Sequence, residues 1–214
     1  ADAQSRSSRL SGSYREDAFE YITTKARLYY HQHKRIKLDK TDDVALYMQA
    51  YNAFELQQYA QAKDHIDQLL LINKKNPTYI LAGRIYSKLD QLEQSQQYFS
   101  RVIDTEPGAY FAAQAYLDNS QIQQGISLLR QYLKRHKGTY LSHKLLSSLY
   151  VAAGQSDRAH IHNAKALIRQ GKLEEAIARY ERAKATTRSQ DLFDVIEVEI
   201  ERLEKRIDLY KELP

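Results

Sequence analysis

Seven histidines, no cysteine and a scatter of serines are the side chains that could do chemistry here. Metal binding is the first chemistry to weigh. His31-x-His33 and His160-x-His162 fall in helical stretches, where residues two apart point to nearly opposite sides, so neither pair can hold one ion. No His-Glu-x-x-His helix occurs, nor any other zinc spacing. Without cysteine there is no thiolate ligand, no thiol nucleophile and no disulfide. The serines lie in helices or polar termini and offer no nucleophile. Phosphate-cradling sequences are missing as well, with no Gly-x-Gly-x-x-Gly and no Gly-Lys-Ser/Thr. The residues therefore assign no catalytic group, no metal ligand and no cofactor to this chain.

What remains is recognition. The net charge is +5 and the pI about 9.1, but both signs alternate along the chain. The one basic run, His31-Gln32-His33-Lys34-Arg35-Ile36-Lys37-Leu38-Asp39-Lys40, reads as a solvated helix end whose cations complement the C-terminal dipole. A nucleic-acid footprint would be a basic stripe along one face with aromatics placed for stacking, and no such stripe is evident. No apolar run approaches the ~20 residues needed to span a bilayer. Ala1 to Ser13 is small and polar, with no apolar core of a signal peptide, and the expectation is a fragment or a processed product. The lack of cysteine fits either cytosol or periplasm.

The elements that must position any binding residues are helices. Three prolines and seven glycines are few, good helix formers dominate, and seventeen tyrosines recur at regular spacings. The clearest unit runs Tyr79, Ala82-Gly83, Tyr86, Leu89, Ser95, Phe99, Val102 and Pro107. Its order and offsets resemble the tetratricopeptide template: small residues where two helices must approach to ~8–10 Å, with aromatics filling the holes around them. About 33 residues earlier the same slots hold Ala50, Ala53, Leu56, Tyr59, Ala62, Ile66 and Leu69. Downstream they hold Ala113, Tyr116, Ile122, Gly125, Leu129 and Tyr132, then Leu146, Ser147, Tyr150, Gly154 and Ala159. The last set is Ala164, Leu167, Gly171-Lys172-Leu173, Ala176, Tyr180 and Ala183.

Two irregularities in spacing predict departures from a uniform array. A short step of about 30 residues into the third repeat predicts a tight loop at Pro107-Gly108, and a step of about 17 into the last is half a repeat period. Ser156 to Gln170 must then serve as the second helix of one repeat and the first of the next, with a change of pitch or direction there.

The expectation is an all-α chain, a tetratricopeptide-type right-handed α-solenoid of antiparallel helix pairs. Residues 1–13 are expected to be a disordered or linker segment and 14–214 a single solenoid domain. Within it we expect an opening helix over 14–35 (stripe Ala18, Ile22, Ala26, Tyr29), about five repeats over 43–188, and a capping helix over 191–212. Asp191 is the expected N-cap of that last helix, with Leu192, Ile196, Leu203, Ile207 and Tyr210 as its apolar stripe. Glu197, Glu201, Lys205 and Asp208 lie on its solvated face.

Several stretches carry a closer resemblance. They are Arg9-Leu10, Asp17 through Lys25-Ala26-Arg27, Tyr59-Ala60-Gln61-Ala62, Ala164 through Gly171-Lys172-Leu173-Glu174-Glu175-Ala176-Ile177, and Ile200-Glu201-Arg202-Leu203. In order and spacing they are similar to the C-terminal part of the periplasmic β-barrel assembly-enhancing protease family of Gram-negative bacteria, which joins a zinc metalloprotease domain to a tetratricopeptide tail. The half-period helix before Gly171 also fits that pattern. The resemblance implies a periplasmic location and a role in outer-membrane protein assembly and quality control. It implies partners in the barrel-assembly machinery, its substrates and the parent's own protease domain. Zinc and the catalytic Glu would lie before residue 1, and none of their ligands carries over.

The rival reading is a stand-alone adaptor or cytosolic co-chaperone binding a peptide in its concave groove. Such adaptors resemble one another in a Lys/Asn clamp on the inner helix faces, and here those slots hold Tyr47 and Tyr51. A regulatory subunit of another enzyme is a third possibility. On either of the first two readings the partner-binding groove is expected on first-helix positions the template leaves over: Tyr47, Tyr51 and Phe54, then Arg84 and Lys88, then Tyr110 and Gln114. Arg84 and Lys88 are one turn apart with no acid four residues before either, and are expected to meet an acidic or C-terminal carboxylate group. The competing role for Tyr47, Tyr51 and Phe54 is packing under the opening helix.

Overall fold

The computed structural model describes residues 43–211 of the 214-residue chain. The segment 1–13, the opening helix expected over 14–35 and the basic run His31–Lys40 lie outside the described residues. Within them are ten helices and no strand. In chain order they are α1 (Asp43–Glu55), α2 (Tyr59–Ile72), α3 (Asn76–Lys88), α4 (Leu92–Ser100), α5 (Glu106–Asp118), α6 (Ile122–Arg135), α7 (Tyr140–Ala152), α8 (Ser156–Arg169), α9 (Leu173–Thr186) and α10 (Gln190–Lys211). The described residues fall into two compact units, divided between Val102 and Ile103.

Five turns share one construction. Each joins two helices through three residues, and the middle one is left-handed: Gln57 (φ 60°), Asp90 (57°), Ser120 (59°), Gly154 (70°) and Gly171 (77°). The residue after it donates its backbone N–H five residues back, Gln58 to Ala53, Gln91 to Tyr86, Gln121 to Tyr116, Gln155 to Tyr150 and Lys172 to Leu167, at 2.8–3.1 Å. This is the Schellman closure, which satisfies helix-end carbonyls and reverses the chain within one turn. Such short connections make the flanking helices antiparallel neighbours. The turns recur at the unequal steps read from the sequence: Asp90 to Ser120 is the short one, and Gly154 to Gly171 is the half step.

In the first unit α1 packs on α2 and α3 on α4, while α2 and α1 both touch α3. Its core gathers Leu46, Ala50, Phe54, Ile66, Leu69, Leu81, Ile85 and Tyr86. In the second unit α5 packs on α6, α6 and α5 on α7, and then each helix on the next through α10. Small residues mark every hairpin crossing, always twelve apart: Ala50/Ala62, Gly83/Ser95, Ala113/Gly125, Ser147/Ala159 and Ala164/Ala176, all ten buried. Where serine stands in for alanine its hydroxyl is used. Ser95 Oγ donates to the Gly83 carbonyl and Ser147 Oγ to the Ala159 carbonyl, both at 2.8 Å. A Cβ on Gly83 would stand 2.7 Å from the Phe99 ring, so the phenylalanine occupies the space the glycine leaves. Helix α8 packs on both α7 and α9, the double duty its half-period spacing requires.

Four expectations need correction. Pro107 and Gly108 are not in a loop but in the first turn of α5, where proline's missing N–H costs nothing and Thr105 caps by accepting from Gly108 N–H at 3.1 Å. Leu56 fills no core slot. It opens the α1–α2 turn and is 68% exposed. Asp191 lies inside α10, which starts at Gln190, and the capping oxygen is Ser189 Oγ, accepting from Leu192 N–H at 3.4 Å. Tyr210 is off the apolar stripe, 53% exposed with its hydroxyl against Arg206, whereas Ile196, Ile200 and Leu203 seal the end of the α9 layer.

Ala62 and Ala176 are fully buried, so a larger side chain must push helices apart. Ala62→Leu and Ala176→Leu should each lower stability by ~1–3 kcal/mol, read from urea and thermal melts. Unchanged midpoints in both would refute these positions as crossings. A second expectation isolates the turns: a Cβ at Gly171 meets nothing within 4 Å, so Gly171→Ala feels only its left-handed backbone. Its melting should show a loss of ~1–2 kcal/mol.

Candidate functional site

Tyr47, Tyr51 and Phe54 lie four and three residues apart on α1, and Arg84 and Lys88 one turn apart in the last turns of α3. The Tyr47 and Tyr51 rings stack at 6.5 Å and 12°, both half-buried against the first core. Phe54 is deeper, 8% exposed, and tilts against Tyr59 at 5.6 Å. Contact between α1 and α3 brings the Arg84 guanidinium 4.5 Å above the Phe54 ring, with Nη2 3.9 Å from Glu55 Oε1. A planar cation over an aromatic face is attracted by the ring quadrupole, and more so as water is excluded. No acid stands four residues before Arg84 on its own helix, but Glu55 reaches it from α1. Lys88 is exposed beside it.

Tyr110 and Gln114 belong to the second unit. Tyr110 packs on that unit's core and edge-on to Phe111 at 5.2 Å. Gln114 turns its amide to Asp118 Oδ1 at 2.7 Å. Of the predicted residues, the structure thus brings Arg84 onto Phe54 and Tyr47 onto Tyr51, while Tyr110 and Gln114 stand in a different packing environment.

Two polar networks escaped the sequence reading. In the first unit Tyr86 Oη donates to Asp67 Oδ1 at 2.6 Å, and Lys63 Nζ reaches Asp67 Oδ2 at 2.7 Å. Burial, then the bond to Asp67, raises the Tyr86 phenol well above its ordinary range. In the second unit His143 on α7 meets His162 on α8, Nδ1 to Nδ1 at 3.3 Å, with Tyr150 stacked on His162 at 5.4 Å. The pair is nineteen residues apart in sequence, which a search along single helices misses. Burial first, then the Lys165 charge, pushes the imidazoles down, His143 to about 4 and His162 to about 3. Among the described residues no three or more His, Asp or Glu side chains cluster to hold a metal ion, and no helix is long and apolar enough to cross a membrane.

Repeated hairpins closed by one turn type, small residues at each crossing and an aromatic–arginine face define the class: an all-α protein of the α-solenoid type. The comparisons make it particular. Residues 44–72 and 77–108 each match a family model described as tetratricopeptide repeat; the first covers α1–α2, and the second covers α3–α4 and runs into the first turn of α5. A tetratricopeptide repeat protein from Parabacteroides merdae is similar at 13% identity, over 89% of this chain and 80% of that one, with a TM-score of 0.48. Yeast Tom70 is similar at 16% identity, over 86% of this chain and 44% of that one, at 0.46. No protein of curated function matches the chain.

The histidine pair carries a pH dependence of known sign. In the unfolded chain both imidazoles titrate near 6.5, and in the folded chain well below it. Between those values the unfolded state binds more protons, so this contribution is fully present above 6.5 and is lost as pH falls toward the folded values. The urea midpoint should drop between about pH 7 and about pH 4.5, and a His143→Phe, His162→Phe double variant should drop less steeply. Parallel slopes for the two proteins would exclude the pair as the source.

Proposed function

We propose that this chain is a protein-binding scaffold that recognises an anionic segment of its partner on the α1–α3 face. The single observation that carries the reading is the Arg84 guanidinium held over Phe54 and beside Glu55, with Tyr47 and Tyr51 stacked on the same helix as Phe54. Arg and Tyr are the side chains that most often dominate interface energetics, and a cation already oriented on a ring loses less freedom when bound. Repeats of this family present binding surfaces built from stacked hairpins, which agrees with the two matched repeats. The chemistry of this face suits a carboxylate, from an acidic side chain or a chain terminus. Glu55 excludes neither, because it contacts Arg84 at 3.9 Å only and is itself half exposed.

A finer reading rests on the resemblance of Asp17 through Arg27 and of Ala164 through Ile177. We propose that the scaffold is the non-catalytic tail of a periplasmic zinc metalloprotease and brings the barrel-assembly machinery or its stalled substrates to that enzyme. A His-Glu-x-x-His motif in the reading frame upstream of residue 1 supports this parent, and its absence there removes it while leaving the scaffold reading intact.

The site is tested by placing a photo-crosslinker at Tyr51 in the full-length protein, identifying the captured partner, and measuring its affinity by calorimetry. Arg84→Gln with Lys88→Gln should weaken binding by about tenfold, roughly 1.4 kcal/mol, or more. The melting midpoint should fall only modestly, for a loss of ~1–2 kcal/mol from the cation–ring contact and the long ion pair to Glu55. Unchanged affinity in the double variant would place recognition elsewhere.

A further inference from the structure

Helix α10 has 22 residues, a length of about 33 Å, against 14 residues in α9, the helix it packs on. One stripe does that packing: Ile196, Ile200 and Leu203 are buried, with Ile207 beside them. A second stripe carries Val195, Val198, Arg202, Lys205 and Leu209, spaced alternately three and four residues apart. That is the seam spacing of a helix that packs lengthwise on another helix. All five side chains are exposed, the three aliphatic ones by more than half. The outer face of a helix that closes a repeat array is ordinarily polar, for solubility. Valine also gives up χ1 freedom in a helix, so helix propensity does not explain two of them on that face.

Charge on α10 is segregated along its length. From Gln190 to Glu201 the charged residues are Asp191, Asp194, Glu197, Glu199 and Glu201, with no cation among them. From Arg202 to Lys211 they are the cations Arg202, Lys205, Arg206 and Lys211, with Glu204 and Asp208. The helix dipole accounts for little of this, because its effect falls off within the first and last turns. Ion pairs within α10 join Lys205 to Glu201 at 2.7 Å and Lys211 to Asp208 at 3.1 Å. Glu199 and Arg206 flank the exposed seam on one side, being four residues from Val195 and from Arg202, and among the described residues neither is in an ion pair.

A helix with an acidic first half, a largely basic second half and one apolar seam is complementary to itself turned end over end. We infer that two copies of this chain pair through α10, antiparallel, about a two-fold axis close to Arg202. Leu209 of one copy then lies opposite Val195 and Val198 of the other, and Arg206 opposite Glu199. The symmetry makes each contact twice. A parallel pair would set the acids of one copy against those of the other, at a cost in like-charge repulsion. In the middle of the seam the stems of Arg202 and Lys205 cover apolar surface while their charged heads reach water. The pairing asks nothing of the α1–α3 face. A dimer carries two such faces, however, so a partner with two acidic segments gains avidity over a partner with one.

The test is sedimentation equilibrium of the full chain over a concentration series, with circular dichroism to verify that each variant keeps its helical signal. A reversible monomer–dimer equilibrium is expected, and Leu209→Asp should raise its dissociation constant by about tenfold or more. Glu199→Arg alone, or Arg206→Glu alone, sets like charges opposite each other and should weaken pairing. Mixed together, those two single variants should form a heterodimer in preference to either homodimer, because every altered side chain then faces its opposite. A parallel pair, or a pair through another surface, gives no such preference. The inference is overturned by a chain that stays monomeric up to about 1 mM, by a dimer that Leu209→Asp leaves intact, or by mixing without heterodimer preference. Each of those outcomes leaves the dependence of partner binding on Arg84 and Lys88 untouched, so failure here and failure of the scaffold reading are told apart.

Discussion

Where the two helices of each hairpin cross, one small side chain faces another, and everything else in either unit is arranged around that contact. Five pairs twelve residues apart hold the positions, from Ala50/Ala62 to Ala164/Ala176. Small contact residues let helix axes approach to the low end of the usual ~8–10 Å, and every larger side chain then packs at a distance this spacing sets. Phe99 shows the coupling, since its ring fills the volume opposite Gly83. Serine is tolerated at such a site only because its hydroxyl finds a carbonyl across the crossing, as Ser95 and Ser147 do. A buried hydroxyl without a partner would cost about 1–3 kcal/mol instead.

The same constraint accounts for the half-period step. Helix α8 carries two small buried residues, Ala159 for the crossing with α7 and Ala164 for the crossing with α9. Five residues of α-helix turn through about 140° beyond a full revolution, so the two alanines look to different sides. One helix can therefore be the second member of one hairpin and the first of the next. The turns enforce it: Gly154 before α8 and Gly171 after it take left-handed backbone, and both flanking closures have the same hydrogen bond. Elsewhere Gln57, Asp90 and Ser120 accept that conformation despite their side chains, which indicates how strongly the closure is held by the packing around it.

Side chains the crossings do not need make further contacts on this frame. In the first unit the frame brings α3 against α1 and sets the Arg84 guanidinium on the Phe54 ring. In the second it brings the His143 imidazole of α7 against the His162 imidazole of α8. The two arrangements handle charge differently. Arg84 keeps company with a carboxylate and a ring, whereas His143 and His162 are pushed toward the neutral form chiefly by burial.

Much of this architecture was legible in the chain. Small residues at fixed offsets require close crossings, aromatics between them require holes to fill, and unequal steps require a shared helix, because each follows from helical periodicity alone. Local chemistry at the ends was legible only in part. Asp191 and Ser189 are both good caps, and sequence does not tell which residue takes non-helical backbone; Pro107 reads equally as a loop or a first helical turn. The polar contacts between helices were not legible at all. Glu55 reaching Arg84, Asp67 accepting from Tyr86, and His143 meeting His162 join residues on different helices, at separations from nineteen to twenty-nine residues. Periodicity fixes which face of a helix a residue occupies, but the residue it meets depends on how far and at what angle the neighbouring helix is placed. That placement is a property of the packed crossings, which only the tertiary structure determines.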